Sequence, residues 1–238
     1  LSPDKFILSY CDRALGITSA EEQPVLPKGN NLSLYLLELF TSQVAKVGMT
    51  DGIRQVLQEE SDALRAYYEQ AGILIARPAG GTSCRLAISA KGGTNAENHN
   101  HNDVGSYAVA LGSETMVGDQ GGPNSYPGDY FNGDAPQKYK IKGSFGHPVP
   151  VVDGRTQSSG GKAKGVVLQK EFTNEKDVFS IDYTSAYSTP NLDKLIRTFV
   201  YDRQGEGNFT VGDEFTAKTP IRFETAITTR ADWKILDD

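Results

Sequence analysis

Two of the chain's three histidines fall within nine residues, Asn95-Ala96-Glu97-Asn98-His99-Asn100-His101-Asn102-Asp103. Ala96 is the only apolar residue in that run. In an extended segment alternate side chains share a face, so His99 and His101 are expected to point the same way. Two neutral imidazoles on one face can clamp a metal or line a pocket. A solvated polar turn explains the HxH equally well. A zinc site needs a third and often a fourth ligand. Asp119 supplies a carboxylate at the end of Met116-Val117-Gly118-Asp119, and His147 adds an imidazole in Ser144-Phe145-Gly146-His147-Pro148. Two histidines with a carboxylate are a known zinc composition. A cupin-type site would want a glutamate three or four residues after His101, where this chain has Val104 and Gly105.

The elements that must position these residues change character along the chain. Residues 1–71 read as helical. Ser2 and Pro3 suit a helix start. Leu37, Phe40, Val44 and Val47 repeat at helical spacing, and Ile53, Val56, Leu57, Leu64, Tyr67 and Tyr68 form a third apolar stripe that Gly72 would end. From residue 72 onward the segments are short, β-branched or aromatic, and punctuated by glycine. Strands are predicted at 73–77, 85–90, 107–111, 115–118, 149–152, 166–172, 178–183, 195–201, 209–215 and 223–229. Gly112-Ser113 joins two of them as a tight hairpin, and 202–208 closes another. Strands without intervening helices predict an antiparallel β-sandwich or barrel over 72–238. The Gly112-Ser113 pairing sets Asp119 opposite Ser106, not His101, so the chain before Ser106 must bend back with Gly105 as hinge or bulge. Residues 121–143 lack alternation and read as one long loop, of a kind that often carries function. Its Tyr126, Tyr130 and Tyr139 are either loop packing or proton-transfer candidates, Tyr139 foremost. Lys138, Lys140 and Lys142 are expected on a solvated strand face. Trp233 is expected as a core anchor.

Composition narrows the function classes. The 238 residues are 38% hydrophobic and 23% charged, which suits a globular chain with a real core. Net charge is −6 with no basic stripe, which argues against a general nucleic-acid binder. No apolar run reaches the length of a membrane span. Cys11 and Cys84 have no metal-type spacing and are expected as buried thiols rather than a disulfide. The chain starts at Leu1 without methionine, so the helical segment reads as the end of a longer helical region.

Lys91-Gly92-Gly93 together with Asn98-His99-Asn100-His101-Asn102-Asp103-Val104-Gly105-Ser106-Tyr107 resembles the signature of the heparinase II/III-like family. Gly118-Asp119-Gln120-Gly121, Ser144-Phe145-Gly146-His147-Pro148-Val149-Pro150, Val151-Val152-Asp153-Gly154, Arg197-Thr198-Phe199-Val200-Tyr201-Asp202 and Phe223-Glu224-Thr225-Ala226 follow in the family's order. The resemblance covers roughly residues 73 to 230. It implies polysaccharide lyases acting on acidic, uronate-containing glycans by β-elimination, with a helical toroid before a β-sandwich. Residues 1–71 would then be the toroid's last helices. It implies zinc or another divalent ion on His101, Asp119 and His147, serving structure rather than Lewis-acid chemistry. It implies His99 facing the cleft beside the reacting sugar, Tyr139 in proton transfer, and Asn98 and Tyr126 against the substrate. The carboxylate-neutralising Asn or His and a Tyr acid/base would come from the helical domain, so this chain alone is expected to turn over no glycan. The resemblance further implies an acidic polysaccharide as partner and a periplasmic or extracellular compartment. The rival expectation is a metal-stabilised β-sandwich that binds glycans or a partner without catalysis.

Overall fold

The computed structural model describes residues 63–112, 114–119, 122, 125–133, 135–229 and 232–234. The helices expected before residue 63, and Cys11, lie outside the described residues. A compact unit begins at Leu64. It is mostly β, with twelve strands in antiparallel sheets among the described residues.

The strands are β1 (Arg65–Tyr68), β2 (Ile73–Ala76), β3 (Leu86–Lys91), β4 (Gly93–Asn95), β5 (Tyr107–Leu111), β6 (Glu114–Val117), β7 (Pro150–Val152), β8 (Gly160–Phe172), β9 (Lys176–Asp182), β10 (Leu192–Asp202), β11 (Asn208–Ala217) and β12 (Phe223–Thr225). One five-stranded sheet runs β1-β2-β3-β5-β6, a second runs β11-β10-β9-β8-β4, and β12 pairs with β7. Alternate residues turn inward, as the period of two demands. Leu74, Ala76, Ile88 and Ala90 of the first sheet meet Phe179, Ile181, Leu195, Phe199 and Tyr201 of the second in one buried cluster. Phe179 and Phe199 stack at 6.0 Å between ring centroids. Two sheets sharing one apolar layer make a sandwich, as expected.

Four features differ from the sequence-based expectation. Leu64, Tyr67 and Tyr68 do not continue a helix: Arg65–Tyr68 pairs with Ile73–Ala76 as a hairpin. Gly72, read as a helix stop, has φ +62 in the connecting turn, a conformation glycine serves in both settings. The long strand β8 starts at Gly160 rather than near 166 and bulges between Val167 and Gln169. Residues 226–229 are not strand; Thr228 instead clasps Gly118, its carbonyl accepting the Gly118 N–H at 3.0 Å and its hydroxyl donating to the Gly118 carbonyl at 2.7 Å. Trp233 is exposed, not a core anchor.

The path around β4 builds the site's frame. The chain leaves the first sheet at Lys91, crosses at Gly92-Gly93 and joins the second sheet's edge as β4. A Cβ on Gly93 would stand 2.5 Å from the Ala71 carbonyl oxygen, and its φ is +64, so this corner requires glycine. Residues 96–106 then carry the chain back to β5. The His-rich segment therefore spans the two sheets, while His147 lies just before β7 of the third pair.

Candidate metal centre and its surroundings

The His-rich segment is a turn, not a strand. Asn100 N–H reaches back to the Glu97 carbonyl at 3.2 Å, and His99 takes φ +57. Asparagines compete for local backbone bonds, and this run of them favours a turn over a ladder. His99 and His101 consequently do not share one strand face. His99 is exposed and stacks on Phe131, ring centroids 4.3 Å apart. His101 is half-buried and meets His147.

His101, Asp119 and His147 come together, one ligand atom from each lying within 4.8 Å of the others. His101 Nδ1 is 3.1 Å from His147 Nε2, and His147 Nδ1 is 3.4 Å from Asp119 Oδ2. His147 is completely buried. Burial first, and His147 next to it second, hold the His101 imidazole below its ordinary pKa. That favours the neutral ring, the form that binds a metal. Tetrahedral zinc, with bonds of about 2.0–2.1 Å, spaces its ligand atoms about 3.3 Å apart. The two imidazole nitrogens already stand at that spacing. The Asp119 side chain, 49% exposed, has a short distance to close.

The buried polar atoms around the triad are incompletely partnered. Asn100 Oδ1, Asn102 Oδ1, Tyr130 Oη and His147 Nδ1 are buried without a hydrogen bond. Only two other such side-chain atoms occur among the described residues, on Thr189 and Arg203. Such atoms normally find partners, and two of these residues, Asn100 and Asn102, flank His101 in the chain, so the segment has capacity left for an ion or water. With one nitrogen from each ring and a carboxylate oxygen, the N, N, O donor set of His101, His147 and Asp119 fits a divalent ion.

Other expected residues occupy mixed settings. Tyr139 is half-buried and donates its hydroxyl hydrogen to Asp129, which also pairs with Lys138. The hydrogen bond to Asp129 foremost, then burial, raises the Tyr139 pKa, so the phenol keeps its proton. Tyr126 is exposed, its ring 4.9 Å from Tyr130 and 5.0 Å from Phe131. Asn98 is exposed on the turn. Lys138, Lys140 and Lys142 do not share a solvated strand face. They belong to a helical turn, Ala135–Lys138, and a 3₁₀ turn, Lys140–Lys142, and Lys142 is buried. Its ammonium donates to the Tyr130 carbonyl at 2.8 Å and sits 4.8 Å and 5.0 Å from the Tyr130 and Phe131 ring centroids. Burial pulls its pKa down.

Sequence reasoning gave no role to Gln157. Its buried amide accepts from Asn95 Nδ2 at 2.9 Å and Val104 N–H at 3.0 Å, and donates to the Val104 carbonyl at 2.6 Å. Its backbone N–H donates to Ser144 Oγ, and its carbonyl accepts from Asn102 Nδ2. The segments bearing His101 and His147 are tied together through this one residue. Nothing in the sequence around it, Arg155-Thr156-Gln157-Ser158-Ser159, distinguishes it from a polar loop.

No protein-family model and no curated protein matches the chain. Solved structures do. The heparan sulfate lyase HepC from Pedobacter heparinus superposes with a TM-score of 0.55 at 15% identity, over 78% of this chain and 28% of that one. The heparinase III BT4657 gene product superposes with a TM-score of 0.59 at 12% identity, over 86% of this chain and 31% of that one. The chain thus spans less than a third of the length of either, and at these identities the likeness is one of fold: the β-sandwich found here is similar to a part of each heparinase.

Proposed function

We propose that the chain is the β-sandwich portion of a heparinase II/III-like polysaccharide lyase, with a divalent ion, zinc by preference, on His101, Asp119 and His147. The convergence of those three side chains, from segments 18 and 28 residues apart along the chain, is the observation that carries this reading. The fold-level likeness to two heparinases supports it. The substrate is an acidic, uronate-containing glycan, and the working compartment is outside the cytoplasm.

β-Elimination removes the proton at C5 of a uronate. The electron pair forms the C4=C5 double bond, the C4–O bond breaks, and the departing oxygen takes a proton. The anionic carboxylate resists the developing second charge, so donors must neutralise it, and a base and an acid must stand within hydrogen-bond reach. In this reading exposed His99, fixed on Phe131, faces the sugar, with Asn98 and Tyr126 beside it. Tyr139, held protonated, suits donation to the leaving oxygen. The ion's contribution is to tie the segments bearing His101, Asp119 and His147 into one wall. The carboxylate neutraliser and a further Tyr belong to a helical domain outside the described residues.

A second reading is a metal-stabilised sandwich that binds glycans without catalysis. It needs only the His101, Asp119 and His147 cluster and a likeness of fold. Metal analysis of the chain purified without chelator tests the first part: about one zinc per chain, lost in His101→Ala, is the expected result, and a metal-free wild type would sink it. Appearance of unsaturated uronate tests the second. The 238-residue chain should release none, and the full-length gene product should. His99→Ala and Tyr139→Phe in that full-length protein should each lower turnover by about 10²-fold or more. A full-length protein that retains glycans on a column but never cleaves them would establish the binding reading instead.

A further inference from the structure

Arg197 is among the most buried side chains in the unit, at 1% exposure. It lies in the middle of β10, on a face otherwise given to Leu195, Phe199 and Tyr201. Burying a guanidinium is costly unless every donor is used. Here Nε and Nη2 hold Asp213 through both carboxylate oxygens, at 2.8 and 2.6 Å. The two hydrogens of Nη1 go elsewhere: one to the Gly105 carbonyl at 2.9 Å, the other to the Pro148 carbonyl at 2.8 Å. The guanidinium also lies 5.8 Å and 5.6 Å from the ring centroids of Tyr107 and Tyr183.

Those two carbonyls are informative. Gly105 is four residues after His101, and Pro148 directly follows His147. A single nitrogen therefore joins, alongside Gln157, the two segments that bring the imidazoles to 3.1 Å. We infer that Arg197 is a positioning residue for the metal centre: it preorganises the His101–His147 spacing by clamping both ligand segments to the sheet. The inference rests on the metal reading above. A lysine cannot reproduce the clamp, because one ammonium lacks the planar fork that serves Asp213 and two diverging carbonyls at once.

Arg203 provides a matched comparison. It is buried at 4% and paired with Asp177; Nε serves the carbonyl of Arg77, Nη2 also serves that of Leu64, and Nη1 has no partner. None of these belongs to a segment bearing His101, Asp119 or His147. Arg197→Lys and Arg203→Lys thus make the same kind of lesion, one at the clamp and one away from it. The experiment measures the zinc dissociation constant of each folded 238-residue variant by competition with a chromophoric chelator. It also records the visible spectrum after cobalt(II) substitution. The expected result is zinc affinity weakened about 10- to 100-fold in Arg197→Lys, with a changed cobalt spectrum, and less than threefold in Arg203→Lys. Should Arg197→Lys fail to fold, Arg197→Met with Asp213→Asn removes both buried charges while leaving Tyr183 its acceptor. The same loss is expected there. Wild-type affinity and spectrum in a folded Arg197 variant would overturn this inference and leave the metal site standing. Equal losses in the two lysine variants would reduce Arg197 to a stability residue. A wild type that binds no zinc would overturn the metal reading and this inference with it.

Discussion

His99 and His101 are two residues apart and end in different surroundings. The left-handed backbone at His99 turns its ring onto Phe131, while His101 meets His147. Spacing alone implied a shared face, because the turn depends on asparagines competing for backbone bonds rather than on any hydrophobic period. Gly105 was more legible. The need to bring the chain back to β5 marked it as a hinge, and Asp103-Val104-Gly105-Ser106 is a turn in which Ser106 N–H meets the Asp103 carbonyl at 2.9 Å. Gly105 has φ +87, the value a type II turn demands at its third position. A Cβ there would lie 3.2 Å from the Tyr183 ring, which cannot retreat easily because its hydroxyl is bonded to Asp213. Gly105→Ala should therefore lower stability by about 1–3 kcal/mol. Thermal unfolding checks this, and an unchanged melting temperature would show that the turn tolerates a side chain.

The elements around the site are held by neutral amides more than by apolar contact. Gln157 satisfies both backbone groups of Val104, a residue buried between sheets. Replacing it with methionine keeps the length and orphans the Val104 N–H and carbonyl. Asn95 retains Ser158, and Tyr187 retains Pro150. Two orphaned buried groups at about 1–3 kcal/mol each predict a loss of about 2–6 kcal/mol. Urea unfolding reads it, and a loss below about 1 kcal/mol would mean that water replaces the amide. No pattern in the sequence signals such a hub, since a buried glutamine looks like any polar loop residue. The strands were legible for the opposite reason. All ten expected segments begin or end within two residues of an observed strand's end, because alternation and glycine turns are local signals. β1 was missed because Tyr67 and Tyr68 extend a helical stripe, and only the pairing with Ile73–Ala76 decides between the two periods. β4, three residues long, has no periodicity to read.

At the scale of the whole unit, the three ligand segments come from three places: the crossing between the sheets, the end of β6 and the approach to β7. The two histidine segments are braced together by Gln157 and Arg197, and the Asp119 segment by Thr228 at Gly118. An ion bound across them binds the folded state only, since the unfolded chain scatters its ligands. Its stabilisation follows mass action, about 2.7 kcal/mol at free zinc a hundredfold above the dissociation constant. For a unit of about 150–250 residues, each kcal/mol moves the melting temperature by roughly 2–4 °C. Zinc-loaded protein should therefore melt roughly 5–11 °C above protein stripped with chelator, and the shift should grow with the logarithm of free zinc. His147→Ala removes the one fully buried ligand and should abolish the zinc-dependent increment. Differential scanning calorimetry at several zinc concentrations measures both. A melting temperature indifferent to zinc would mean that the braces alone hold these segments, and that the unpartnered atoms around His147 serve something other than an ion.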